Sequence, residues 1–184
     1  MALLPYVDEK KASAKTLELL NGRGYVLNVS RMMANASEGV FAGFSAMGNG
    51  LMRESELLPK LREISILRNA RVCNSVYEYT QHLPSARTVG VTEEQIKAID
   101  NWEPAKCFNE TERAVLRFVD EVAGHVKARK ETLEALKKHL GTTEIVDLII
   151  AIGFWGMVAR LLETTEVDLD NQNGEINILD IGKK

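Results

Sequence analysis

The sequence predicts an all-α fold, a single-domain helical bundle. Three observations carry that expectation. Apolar residues recur at three- and four-residue intervals along most of the chain, and strand-type alternation is scarce. Helix-opening signals at Thr92-Glu93-Glu94-Gln95 and at Asn109 to Glu112, with closing glycines at Gly90 and Gly141, punctuate the pattern. With 184 residues, 45% hydrophobic and 27% charged, the chain suits one domain that buries a sizeable core without cross-links.

In chain order, a first helix is expected over 9–20, stopped by Asn21-Gly22, then a loop over 23–29 and a short helix over 30–34. A third stretch over 40–50 contains Gly43 and Gly48, which suit either loop or close approach of a neighbouring helix. Pro59 fits a first helical turn, and Leu61, Ile64, Ile66 and Leu67 carry that helix to Val72. Asn74 interrupts, and Ser75 is the expected N-cap of a helix that ends at Gly90. Pro84 lies inside it and is expected to kink or split it. Thr92 opens a short helix to about Asn101, and Asn109 opens an amphipathic one through Val115, Leu116, Val119 and Val122. Leu133, Leu136 and Leu140 mark another, before Gly141. The last helix, 144–163, is the most apolar. Asp147 and Arg160 interrupt it, so it fits a buried helix better than a membrane span. The mostly polar remainder is expected as an extended arm packed on this subunit or a neighbour.

The net charge of −3 and the absence of a basic stripe argue against nucleic acid as a partner. The first residues lack the pattern of a signal peptide. Two cysteines, Cys73 and Cys107, make no disulfide framework and suggest a reducing, cytoplasmic location.

The segment from Ser75 to His82 concentrates the chemistry. On a helix Ser75, Glu78 and His82 share a face, and Glu78 and His82, four apart, can hydrogen-bond. A carboxylate beside an imidazole favours the protonated ring, and such a pair can move protons near neutral pH. A surface ion pair is the bland alternative. With a third carboxylate the pair could hold a divalent ion, but one histidine makes a poor ligand set, so neither metal nor cofactor is expected.

Residues 61–68 (LREISILR) and 77–82 (YEYTQH) resemble the core motif of the carboxymuconolactone decarboxylase and alkylhydroperoxidase-D-like family. Residues 90–96, 111–118 and 152–160 continue the likeness in the same order. The resemblance implies a core over 58–169, an amino-terminal helical extension over 1–57 packing on it, and a carboxy-terminal arm over 170–184. The family's peroxidase branch uses a glutamate, a Cys-x-x-Cys pair and a histidine. Glu63 and His82 match the first and last, but the cysteine positions fall on Ser75 and Glu78. Cys73 precedes the first of these by two residues. Peroxide reduction through a disulfide is therefore not expected.

What survives is an acid–base set. The resemblance implies a cofactor-free lyase (decarboxylase) or isomerase working on a small carboxylate or lactone. His82 would be the general acid or base, Glu63 its orienting or relaying partner, and Glu78 a tuner or a holder of a substrate hydroxyl. Ser75 and Tyr77 would hydrogen-bond a carboxylate or carbonyl, and Arg68, ahead of Arg71, would meet the substrate carboxylate. The alternatives are a non-catalytic, ligand-binding or assembly protein and a one-cysteine antioxidant acting through Cys73. A small molecule is the expected partner, with no membrane. The family resemblance also implies a homo-oligomer, a trimer or hexamer.

Overall fold

The computed structural model describes residues 1–22 and 26–170. Among these the chain is helical, with no strand. The helices are α1 (Ala14–Asn21), α2 (Asn28–Met33), α3 (Glu38–Arg53), α4 (Pro59–Val72), α5 (Val76–Thr88), α6 (Glu93–Ala98), α7 (Glu110–His125), α8 (Lys130–Leu136) and α9 (Thr142–Thr165). A 3-10 turn, Ile99–Asn101, prolongs α6.

Several boundaries differ from expectation for local reasons. The first helix begins at Ala14, because the Ser13 hydroxyl accepts the Thr16 N–H at 3.1 Å. Upstream, Asp8 draws the backbone into turns, accepting the Lys10 N–H on its side chain at 3.1 Å. The glycine-bearing third stretch is one continuous helix of 16 residues. Gly48 is where the absence of a side chain matters, since a Cβ there would lie 3.3 Å from the Phe154 ring on α9. α5 runs unbroken through Pro84. The carbonyl that proline leaves without a helical donor is that of Thr80, a half-buried residue. Ser75 does occupy the N-cap position of α5, but its side chain makes no capping bond.

α4 is the central helix. It packs against α5, α7 and α9, and its run from Leu61 to Leu67 is buried on every side. One cluster joins Leu61 to Val115, Phe118, Leu136 and Leu148, and a second joins Ile64 and Leu67 to Ile96, Trp102 and Leu116. Each such fully buried side chain contributes about 1.5–3 kcal/mol. The two expected capping boxes form, and they are tied together. The Gln95 amide donates to Glu112 at 2.9 Å, and the Lys60 ammonium meets the other Glu112 oxygen at 2.7 Å. A shared carboxylate thus links the starts of α4, α6 and α7.

The amino-terminal region lies on α9. The Leu3 N–H donates to the Thr165 carbonyl at 2.8 Å, the Tyr6 hydroxyl donates to Asp168 at 3.0 Å, and α3 packs along α9. Of the expected arm over 170–184, only Asp170 falls within the described residues. α9 is long and apolar enough to cross a membrane by length and composition, but half of its most apolar stretch is buried inside the protein. Its outer side exposes Val146, Ile149, Ile150 and Met157.

Candidate active site

Three helices meet at one imidazole. Glu63 on α4 is fully buried, and its Oε2 lies 2.8 Å from His82 Nδ1 on α5. The Trp155 indole N–H on α9 donates to His82 Nε2 at 3.1 Å. An indole N–H can only donate, so Nε2 is the acceptor nitrogen, and the ring proton sits on Nδ1, facing Glu63. The Trp155 and His82 rings meet edge to face at 5.6 Å. Arg62, itself buried, holds its Nε 3.6 Å from Glu63 Oε1 and donates to the Leu51 carbonyl at 3.4 Å. The guanidinium balances a carboxylate that water does not reach.

His82 and Trp155 line a cavity of about 100 Å³. Its walls are mostly apolar, with Leu27, Phe44, Met52, Phe154, Val158 and Leu162 prominent among them. The polar groups on it include Glu78, Gln81 and Tyr77, also from α5.

The expected Glu78–His82 hydrogen bond is not made. Both residues face the cavity, as their spacing requires, but His82 takes its partner from α4, and neither Glu78 oxygen has a hydrogen-bond partner. Burial, followed by the nearby Glu163, pushes the Glu78 carboxyl up to about 9. Near neutral pH it is a neutral acid and cannot tune His82 as a charge.

The remaining candidates are dispersed. Ser75 is buried with its hydroxyl unpartnered, and it does not line the cavity. The Tyr77 hydroxyl is occupied, accepting the Val29 N–H at 3.2 Å and donating to Asp170. Burial and then Asp170 raise its ionisation point further. Arg68 bonds Asp120 at 2.5 Å and the Ile99 and Asp100 carbonyls at 3.0 and 3.2 Å, joining α4 to α7 and the 3-10 turn. It is not on the cavity wall, and Arg71 instead stacks on the Tyr79 ring at 3.8 Å.

Sequence reasoning assigned no role to Trp155, Arg62, Gln81 or Asp170. Trp155 had a usable signal, an aromatic with a polar handle inside the most apolar helix, where a buried N–H must find an acceptor. Asp170 accepts from Gln81 at 2.9 Å and from the Asn28 N–H at 2.6 Å as well as from Tyr77, a convergence of three distant segments with no sequence signature. Among the described residues no group of three or more His, Cys, Asp or Glu is placed to hold a metal ion.

The carboxymuconolactone decarboxylase family model matches residues 38–121, which run from α3 through most of α7 and include Glu63, Glu78 and His82. Among curated proteins none matches the chain. The fold is similar to that of an uncharacterized peroxidase-related protein from Ralstonia eutropha JMP134 with an alkylhydroperoxidase-D core. That likeness has a TM-score of 0.77 at 21% identity and covers 93% of each chain. A peroxidase-related protein from Silicibacter sp. TM1040 is similar at a TM-score of 0.76 and 19% identity, over 96% of this chain and 95% of that one. A debrominase in complex with 2,3,4-tribromopyrrole is similar at a TM-score of 0.72 and 14% identity, over 91% of each. At these identities the likeness speaks for the fold. The match to the carboxymuconolactone decarboxylase family thus covers residues 38–121, with the expected motif in its expected helices, the fold is alkylhydroperoxidase-D-like, and Ser75 and Glu78 stand where the peroxidase branch that the motif resembles has its cysteines.

Proposed function

We propose that the protein is a cofactor-free acid–base enzyme, a lyase (decarboxylase) or isomerase acting on a small lactone or carboxylate. The observation that carries this reading is the Glu63–His82 hydrogen bond, buried behind an apolar cavity whose wall includes the same imidazole. His82 Nε2 takes a proton from the carbon beside a substrate carbonyl, displacing the Trp155 N–H. Glu63 holds Nδ1–H and stabilises the imidazolium that forms. Return of the proton at another carbon completes an isomerisation. In a decarboxylation His82 starts as the imidazolium: the electron pair of the breaking C–CO2 bond passes into the substrate carbonyl as carbon dioxide leaves, and Nε2 delivers to that carbon a proton taken up from solvent.

The test is turnover on a panel of small unsaturated lactones and carboxylates. His82→Ala is expected to lose about 10²–10⁴-fold in kcat, and Glu63→Gln somewhat less. Unchanged turnover in His82→Ala would sink the scheme. One observation favours ligand binding without turnover, namely the hold of Trp155 on Nε2. In that case the panel binds and is not converted.

The antioxidant alternative is weakened by the state of Cys73. Burial, and then Glu78, raise its thiol, which lowers the thiolate fraction available to attack peroxide. A peroxidase assay with a dithiol reductant, comparing wild type with Cys73→Ser, checks it; the expected result is no activity in either.

Self-association belongs to the same proposal. Val146, Ile149, Ile150 and Met157 form one exposed apolar stripe on α9, with the bare Gly153 between them. A stripe of this kind suits a second copy of the chain.

A further inference from the structure

We propose that the Glu78 carboxyl group is a hydrogen-bond donor to substrate, and that the cavity therefore takes neutral cyclic carbonyl compounds, lactones or cyclic enones, in preference to carboxylates. The inference rests on the acid–base reading of the same site and narrows it to the isomerase side, since a neutral ring has no carboxylate to lose.

Glu78 is 2% exposed, lines the cavity, and has no partner for either oxygen. A buried polar group left unsatisfied costs about 1–3 kcal/mol, so a ligand that satisfies it gains from doing so. The direction of the bond follows from the surroundings. Glu163 on α9, the Cys73 thiol beyond α4, and His82 and Tyr77 of its own helix on the cavity wall are the titratable groups around Glu78, while Arg160, which acts on Cys73, is engaged with the Gly156 carbonyl at 2.6 Å. Among the described residues no lysine or arginine lines the cavity. Burial keeps the carboxyl protonated to about pH 9, so it has an O–H to give. A carboxylate ligand would arrive beside that acid with no cation to meet it, and an unpaired charge in an apolar site is costly. A neutral carbonyl needs only the one donor.

The geometry joins this donor to the base. Glu78 and His82 are one helical turn apart on the same face of α5, about 5–6 Å between Cβ atoms. A single small ring can place its carbonyl oxygen at Glu78 and the neighbouring carbon at His82. As His82 removes the proton, negative charge develops on the oxygen that Glu78 holds. A neutral carboxylic acid in an apolar site is well suited to stabilise that charge. The assignment replaces the expected role of Glu78 as a holder of a substrate hydroxyl.

Equilibrium binding separates this from turnover. Quenching of tryptophan emission, with ligand-observed NMR beside it, is measured for γ-butyrolactone, butenolide and cyclohexenone and for the ring-opened acids γ-hydroxybutyrate and γ-hydroxybutenoate. The neutral rings are expected to bind about tenfold or more tightly than the acids. Glu78→Gln, whose amide still donates, keeps ring binding within about threefold, and Glu78→Leu loses about tenfold. If Glu78→Leu does not fold, wild type decides. Cyclohexenone binding should then fall between about pH 8 and 10 as the carboxyl loses its proton. Acids that bind as tightly as the rings, no binding by any ring, full ring binding by a folded Glu78→Leu, or binding level to pH 10 where that variant is unavailable would each overturn the proposal. Ring preference without turnover counts against the enzyme reading alone. Turnover with a preference for acids counts against Glu78 alone.

Discussion

Glu78 is a liability to the fold as well as a feature of the cavity. Its folded-state ionisation lies above the ordinary carboxylate range. The native state therefore binds more protons than the unfolded chain between the two values, and stability falls as pH rises through that window. Glu78→Gln removes the dependence. Its melting temperature is expected to exceed that of wild type by more at pH 8 than at pH 5, and thermal melts at the two values check it. A pH-independent difference would mean that Glu78 ionises freely. The sequence made this residue visible but misjudged its partner. An i, i+4 spacing places two side chains on one face, and it cannot say which will be met by a third helix. Glu63 reaches His82 from α4, a relation across 19 positions that only the family resemblance made visible. The buried Trp155 N–H signalled the need for an acceptor, but nothing local named His82, 73 positions away, as that acceptor.

At the scale of elements, the best-marked helices in the sequence are those whose caps do two jobs. Glu112 closes the α7 capping box and also receives Gln95 and Lys60. Burial works to raise its ionisation point, but the bonds from Lys60, the Asn109 N–H and Gln95 prevail and hold it below the ordinary range. A depressed carboxylate stabilises the fold above its unfolded value, and the benefit is lost as pH falls through the folded one. Glu112→Gln is expected to cost about 1–3 kcal/mol at neutral pH, with the gap from wild type closing in acid. Urea titrations at pH 7 and pH 4 read this directly. The box over 92–95 and the start at Pro59 were legible because their bonds are local. The uninterrupted α3 and α5 were not, because packing overrode the glycines and Pro84. At Gly48 the glycine fits the nearby Phe154 ring. Gly48→Val is expected to destabilise by about 1–3 kcal/mol through overpacking and to intrude on the cavity, with weaker ligand binding as the second readout.

For the whole molecule, the all-helical class followed from periodicity, whereas the cavity did not, since its walls come from α2, α3, α5 and α9. The exposed side of α9 carries the expectation about assembly. Ile150→Glu places a charge in the middle of the apolar stripe, and it is expected to shift the protein from oligomer to monomer in light scattering coupled to size exclusion. A monomeric wild type would remove the expectation. Ile150 faces outward, so a folded monomeric variant would keep the His82 pair intact in its own subunit.

α9 has one further property. Its inner side holds the indole that touches His82, and its outer side holds the stripe, on one rigid rod of 24 residues. A shift of that rod by about an ångström along the N–H···N direction would stretch the 3.1 Å bond to Nε2 beyond hydrogen-bonding range. The imidazole is thus a gauge of where the rod sits. In an oligomer joined through the stripe, as proposed above, parting the copies by dilution is expected to alter Trp155 emission with no ligand present, which would make protein concentration an input to the chemistry of a single ring nitrogen.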